Sequence, residues 1–225
     1  MNVGILTFHN AINYGAVLQC YALSEFLKIH GCNVYVINYY NKDLLTCYKV
    51  FDRHRFVCKS HPLKMVRRFF LEMSLIFPRK KRNFKFNKFI ADKLKILEPL
   101  SNNINSLDLI VVGSDQVWNT KLTKGFDDYY WGNFKRAEKT KLISYAASIE
   151  EFWDTEKDNI AKHLLEGFDA ISVREVKALN KLSDVLPRRN ISLAVDPTLL
   201  IDKVRWSNIA KRPSLREPYL LVYQV

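Results

Sequence analysis

The sequence has no long apolar run: its longest, residues 63–77, is interrupted by Lys64, Arg67, Arg68 and Glu72. Nothing therefore approaches the ~20 apolar residues a membrane-spanning helix needs. No secretion signal is expected either, because residues 1–8 carry no positive start and the chain is polar again at His9 and Asn10. The expectation is a cytoplasmic protein. Cysteine is sparse, with Cys20, Cys32, Cys47 and Cys58 at wide, irregular spacings, which argues for reduced thiols and against a disulfide framework. Cys47, His54, Cys58 and His61 match no zinc spacing, and no metal site is expected. There is no GxGxxG fingerprint and no recognised nucleic-acid motif.

What is present is a globular composition. Of 225 residues 48% are hydrophobic and 13% aromatic, enough for a sizeable core. The formal charge is +12, and one segment carries nearly all of it. Residues 51–97 hold fourteen Lys or Arg against Asp52, Glu72 and Asp92, a net of +11.

Residues 3–8 and 34–39 are apolar, β-branched runs separated by a helical stretch, 15–30, that Gly31 caps. Strand, helix and strand of this kind form a βαβ unit in a buried parallel sheet. The basic region follows, with helical patterning over 63–77 and again over 79–97, punctuated by Pro62, Pro78 and Pro99. It is expected as a helical insertion over 51–99. Further strands fall at 107–112, 141–145, 170–173 and 191–195, with helices at 155–166 and 174–182. The alternation implies a Rossmann-like, doubly wound α/β domain over 1–205. Residues 206–218 resemble a linker, and 219–225 a fresh strand opening a second, truncated domain.

In doubly wound sheets ligands bind beyond the carboxyl ends of the strands, which singles out the polar groups there. After the first strand come His9 and Asn10, then Asn13, Tyr14 and Gly15 at the start of a helix, where free N–H groups favour an anion or a sugar oxygen. Asn13 as a simple cap and Tyr14 as a core residue remain open alternatives. His9 titrates near neutrality and suits proton exchange, with a structural role equally open. After the strand at 107–112, Ser114, Asp115 and Gln116 offer a hydroxyl, a carboxylate and an amide, and Trp118 and Asn119 an aromatic face and a further amide. That set suits a sugar; the alternative is an N-cap followed by a core tryptophan. Tyr145 and Ser148 are placed to line the same crevice. Arg174 either forks onto a phosphate or carboxylate or ties its helix to Glu175 or Asp196.

Five clusters occur in order: Thr7-Phe8-His9-Asn10 with Asn13-Tyr14-Gly15-Ala16-Val17-Leu18-Gln19; Val112-Gly113-Ser114-Asp115-Gln116-Val117-Trp118-Asn119; Ile143-Ser144-Tyr145-Ala146-Ala147-Ser148; Ile171-Ser172-Val173-Arg174-Glu175; and Ala194-Val195-Asp196-Pro197-Thr198-Leu199-Leu200. Together they resemble the polysaccharide pyruvyl transferase family across essentially the whole chain. The resemblance implies a GT-B-like arrangement in which a second Rossmann-like domain follows this one. It also implies transfer of a pyruvyl group from phosphoenolpyruvate to a sugar of a cell-surface polysaccharide or its lipid-linked precursor, as a ketal. Arg174 is then the donor-side cation and Asp115 the acceptor-side acid/base, with His9 as its rival. Phosphoenolpyruvate is the co-substrate, and no cofactor is expected. The alternatives are a non-catalytic fragment or a subunit awaiting a C-terminal partner chain, and a GT-B glycosyltransferase using a nucleotide sugar. For the basic segment, a solvated insertion, nucleic-acid binding and contact with anionic lipid or a lipid-linked sugar at the inner membrane face remain open. No nucleic-acid partner is expected.

Overall fold

The structure, a computed structural model, describes residues 1–46, 50, 62–99, 102–211, 214 and 217–222. Residues 51–61 of the insertion expected over 51–99, and with them Cys47, His54, Cys58 and His61, lie outside the described residues. Five strands pair in parallel in the order β3-β2-β1-β4-β5: β1 (Asn2–Leu6), β2 (Asn33–Ile37), β3 (Ile96–Leu97), β4 (Leu109–Val112) and β5 (Lys141–Ser144). A further parallel pair, β6 (Ile171–Val173) and β7 (Ile191–Leu193), continues beyond β5 through bridges at Ile143–Ala170 and Ala147–Val173. This is the expected Rossmann-like α/β sheet. The chain runs outward from β1 through β2 to β3, then returns to place β4 on the other side of β1.

Strand periodicity decides the packing. In β1, Val3 and Ile5 belong to one apolar cluster while Leu6 belongs to the other; in β4, Ile110 and Val112 face away from Val111. Successive side chains point to opposite faces, so a strand apolar at every position must be covered on both. One face is covered by α1 (Tyr14–Ile29), by Phe86 and Ile90 of α3 (Pro62–Lys93), and by Trp206 of α6 (Lys203–Ser207). The other is covered by α4 (Asp158–Glu166), by α5 (Val176–Val185) and by Trp118, Tyr130, Trp131, Trp153 and Phe168. A short helix, α2 (Lys42–Thr46), follows β2.

Two expectations about the basic helix are corrected. The basic helical patterning does not break at Pro78: α3 is one 32-residue helix with the proline inside it. A helical proline costs about 3 kcal/mol, and the Glu72–Arg79 ion pair, largely buried, spans the interruption on one face. The helix ends at Lys93 rather than 97, because the segment beyond it pairs with β2: Asn38 N–H donates to the Leu97 carbonyl at 2.7 Å. Residues 219–222 form no strand and are exposed, and the stretch expected as linker begins inside α6, where Trp206 packs against Tyr21 with ring centroids 6.0 Å apart.

The junction between β5 and β6 is built from two serines. Ser144 Oγ donates to the Ser172 carbonyl, and Ser172 Oγ to the Ser144 carbonyl, each at 3.0 Å. Ser172 Oγ also accepts the Ala146 N–H at 3.1 Å. Ser172→Ala should therefore destabilise the protein by about 1–3 kcal/mol, since it strands a buried N–H; chemical denaturation reads this directly.

Candidate active site

The order in which strands are added reverses between β1 and β4, and the carboxyl ends of these parallel strands and of β5 and β6 lie on one side of the sheet. At β1 the chain passes through Thr7, whose hydroxyl accepts a 2.9 Å bond from Gln19 Nε2. Gln19, buried in α1, also receives the Ser114 N–H on its Oε1 at 3.3 Å. One amide thus joins the ends of β1 and β4 to the first turns of α1. Sequence reasoning did not single out Gln19, although it is a polar residue on the buried row formed by Ala16 and Leu23.

Beyond β4, the Gly113 N–H continues the ladder to the Leu6 carbonyl at 3.0 Å. At Gly113 φ is +110°, and a Cβ there would lie 2.6 Å from the Tyr145 backbone oxygen, so only glycine fits. Ser114 is fully buried and donates to the Ala146 carbonyl at 3.0 Å. Asp115, Ala146 and Glu150 adopt left-handed backbone, with φ of 50°, 48° and 46°. Such conformations cost about 1–3 kcal/mol each and gather where a binding site dictates the backbone. Here they gather in the loops after β4 and β5.

Asp115 is half-buried, its Oδ1 accepting the Gln116 N–H at 2.8 Å and its carbonyl the Ser148 N–H at 2.9 Å. Burial pushes its carboxyl above the usual carboxylate range; the Gln116 bond and the charge of Arg174 oppose the shift, and the charges of Asp196 and Glu150 add to it. Arg174, at the end of β6, donates from Nε to Glu175 at 2.9 Å and from Nη1 to Asp196 at 3.0 Å. Burial works against its charge, but the Glu175 and Asp196 carboxylates hold its pKa above the ordinary value. Arg174 therefore takes the structural alternative in part: it ties β6 to both carboxylates, and only its remaining N–H groups are left for a ligand anion. Tyr145 is half-buried, its phenol pushed up by burial and by Asp196. Two buried polar atoms in these loops, Ser148 Oγ and Glu175 Oε2, have no hydrogen-bond partner. An orphaned buried group costs about 1–3 kcal/mol.

Other expected site residues are placed elsewhere. Trp118 is a core residue: it is fully buried, its Nε1–H donates to the Tyr130 carbonyl at 2.8 Å, and its ring lies against Trp131 and Phe168. It offers no face to a sugar. Asn119 is also buried, its Oδ1 capping a turn by accepting the Lys121 and Leu122 N–H groups at 3.1 and 3.2 Å, and its Nδ2 bonded to Gln116. His9 is buried rather than presented to solvent, its ring nitrogens against the Thr7 carbonyl (3.3 Å) and Asn38 Oδ1 (3.2 Å). Burial lowers its pKa, favouring the neutral imidazole. Asn10 is half-exposed. Asn13, Tyr14 and Gly15 are exposed at the start of α1, where Asn13 caps the helix by accepting the Ala16 N–H at 3.2 Å. Tyr14 leans on Phe86 of α3, ring centroids 4.9 Å apart, away from the sheet.

The sequence pattern of the polysaccharide pyruvyl transferase family matches residues 13–225. The chain belongs to this family. Among curated proteins and among solved structures no match to it is found. As a polysaccharide pyruvyl transferase it is a transferase acting on a polysaccharide, and the match takes in every strand end described here except that of β1. No helix of the described residues is long and apolar enough to cross a membrane.

Proposed function

We propose that the protein transfers a pyruvyl group from phosphoenolpyruvate to two hydroxyls of a sugar, in a cell-surface polysaccharide or its lipid-linked precursor, leaving a ketal. The observation that carries the assignment of residues is Asp115: a carboxyl with a raised proton affinity, in a left-handed loop at the switch point, beside Arg174. Such a carboxyl holds a proton at a pH where an ordinary one has lost it, as a general acid must.

In the scheme Asp115 protonates the methylene carbon, which becomes the methyl group and leaves the central carbon electrophilic. One sugar hydroxyl adds there, the carbon–oxygen bond to phosphate breaks, and inorganic phosphate departs. The second hydroxyl then closes the ketal. One hydroxyl proton restores Asp115 and the other leaves with phosphate or solvent. The remaining N–H groups of Arg174 are assigned to the donor's carboxylate or phosphate, and Ser148 and Tyr145 are assigned hydrogen bonds to the substrates. In this reading the acceptor is assigned to Asn10 and to the exposed Asn13 and Gly15 at the start of α1, Tyr14 stays with Phe86, and His9, Ser114 and Gln116 hold the loops. Nothing in the scheme calls for a metal or a cofactor. An acceptor on a lipid carrier would bring the enzyme to the inner membrane face.

Phosphate release supplies the test. Incubated with phosphoenolpyruvate and a glycan acceptor, the protein should release inorganic phosphate only when both are present. Turnover of a nucleotide sugar instead, with phosphoenolpyruvate untouched, would assign it to glycosyl transfer.

A further inference from the structure

We propose that the solvent face of α3 is a docking surface for an anionic lipid bilayer. At 100° per residue, Val66, Phe70, Met73, Phe77 and Phe84 fall on one stripe of the helix, and all are between 46% and 75% exposed. The opposite side of the same helix, with Glu72, Phe86 and Ile90, is the side buried against the domain. The stripe is therefore not core. Lys80, Lys81 and Lys88 lie along its flanks.

Charge selects the occupant. Across its 32 residues α3 carries ten Lys or Arg against only Glu72 and Asp92, and both acids are already paired within the helix, to Arg79 and Lys88. A second copy laid on this face would bring the same positive charge against it. A nucleic acid would satisfy the charge and leave the phenylalanines in water. A bilayer with anionic headgroups accepts both, with the aromatic stripe entering the boundary between headgroups and acyl chains and the lysines extending to the phosphates. The docking rests on α3 alone and is independent of the transfer chemistry.

Co-sedimentation of the full chain with vesicles tests it. The protein should pellet with vesicles of phosphatidylcholine and phosphatidylglycerol, less so at high salt, and stay in solution with phosphatidylcholine alone. Phe77→Ser with Phe84→Ser should weaken binding at least about tenfold at an unchanged melting temperature. Lys80→Glu with Lys81→Glu, which leaves every apolar contact in place, should do the same by removing attraction, and it decides the matter if the first variant fails to fold. Light scattering of the wild-type chain without lipid should show no dimer that the phenylalanine substitutions dissociate. No binding to the mixed vesicles, binding indifferent to the phenylalanines, or such a dimer would each overturn the proposal.

Discussion

Asp115→Asn is expected to lower kcat for phosphate release by about 10²–10⁴-fold, the range for loss of a general acid or base, while raising the melting temperature at neutral pH. The two effects have one cause. Burial raises the proton affinity of the Asp115 carboxyl in the folded protein above its unfolded value. Its favourable contribution to folding is complete below the unfolded carboxylate pKa and is lost as pH rises through the higher folded pKa. Above that point the folded state holds an ionised carboxylate where burial opposes it. Asparagine removes the charge, keeps an oxygen for the Gln116 N–H and tolerates the left-handed backbone at φ 50°. The gain in stability should shrink as pH is lowered into the carboxylate range. In the wild type, kcat/KM should show a titration above the ordinary carboxylate range that the variant lacks. Melting curves at acidic and neutral pH, with a pH–rate profile, check both statements. An unchanged kcat would remove Asp115 from the chemistry.

Trp118→Ala is expected to destabilise the protein by about 3–5 kcal/mol rather than to weaken acceptor binding in a folded enzyme. The indole is fully buried, stacked on Trp131 at 5.4 Å, edge-on to Phe168 at 5.6 Å and hydrogen-bonded through Nε1 to Tyr130. Its removal opens a cavity beneath the loop that carries Asp115 and leaves the Tyr130 carbonyl without that donor. Denaturant titration should show the loss as a lower midpoint at an unchanged slope. A variant with wild-type stability and a raised KM for the acceptor would restore the sugar-platform role.

The strands were legible because their burial on both faces leaves one mark, runs rich in β-branched and aliphatic residues, unbroken in β4 and short but recognisable in β1, β2 and β5. What was hidden depends on partners distant in sequence. Strand β3 is two residues long and exists because β2 offers it an edge. The continuity of α3 rests on a pair seven residues apart across a proline. Residues 113–140 show no period, yet they fold on contacts such as Asp127, which accepts the Tyr39 hydroxyl and the Asn41 amide, each at 2.8 Å. At the site, the strand-end rule located the loops but could not say which way each side chain turns. Asp115 lies near enough to Arg174 to feel its charge, Trp118 and Asn119 turn inward, and Gln19, which ties the loops together, comes from a helix the rule passes over.

The most direct measurement follows phosphoenolpyruvate labelled with ¹³C at its methylene carbon by NMR, in the presence of the protein and a glycan acceptor. Pyruvyl transfer predicts that the vinyl signal is replaced by the methyl signal of an acceptor-bound ketal, in step with inorganic phosphate, and that Asp115→Asn slows both together. A vinyl signal that persists while a nucleotide sugar is consumed would contradict the account.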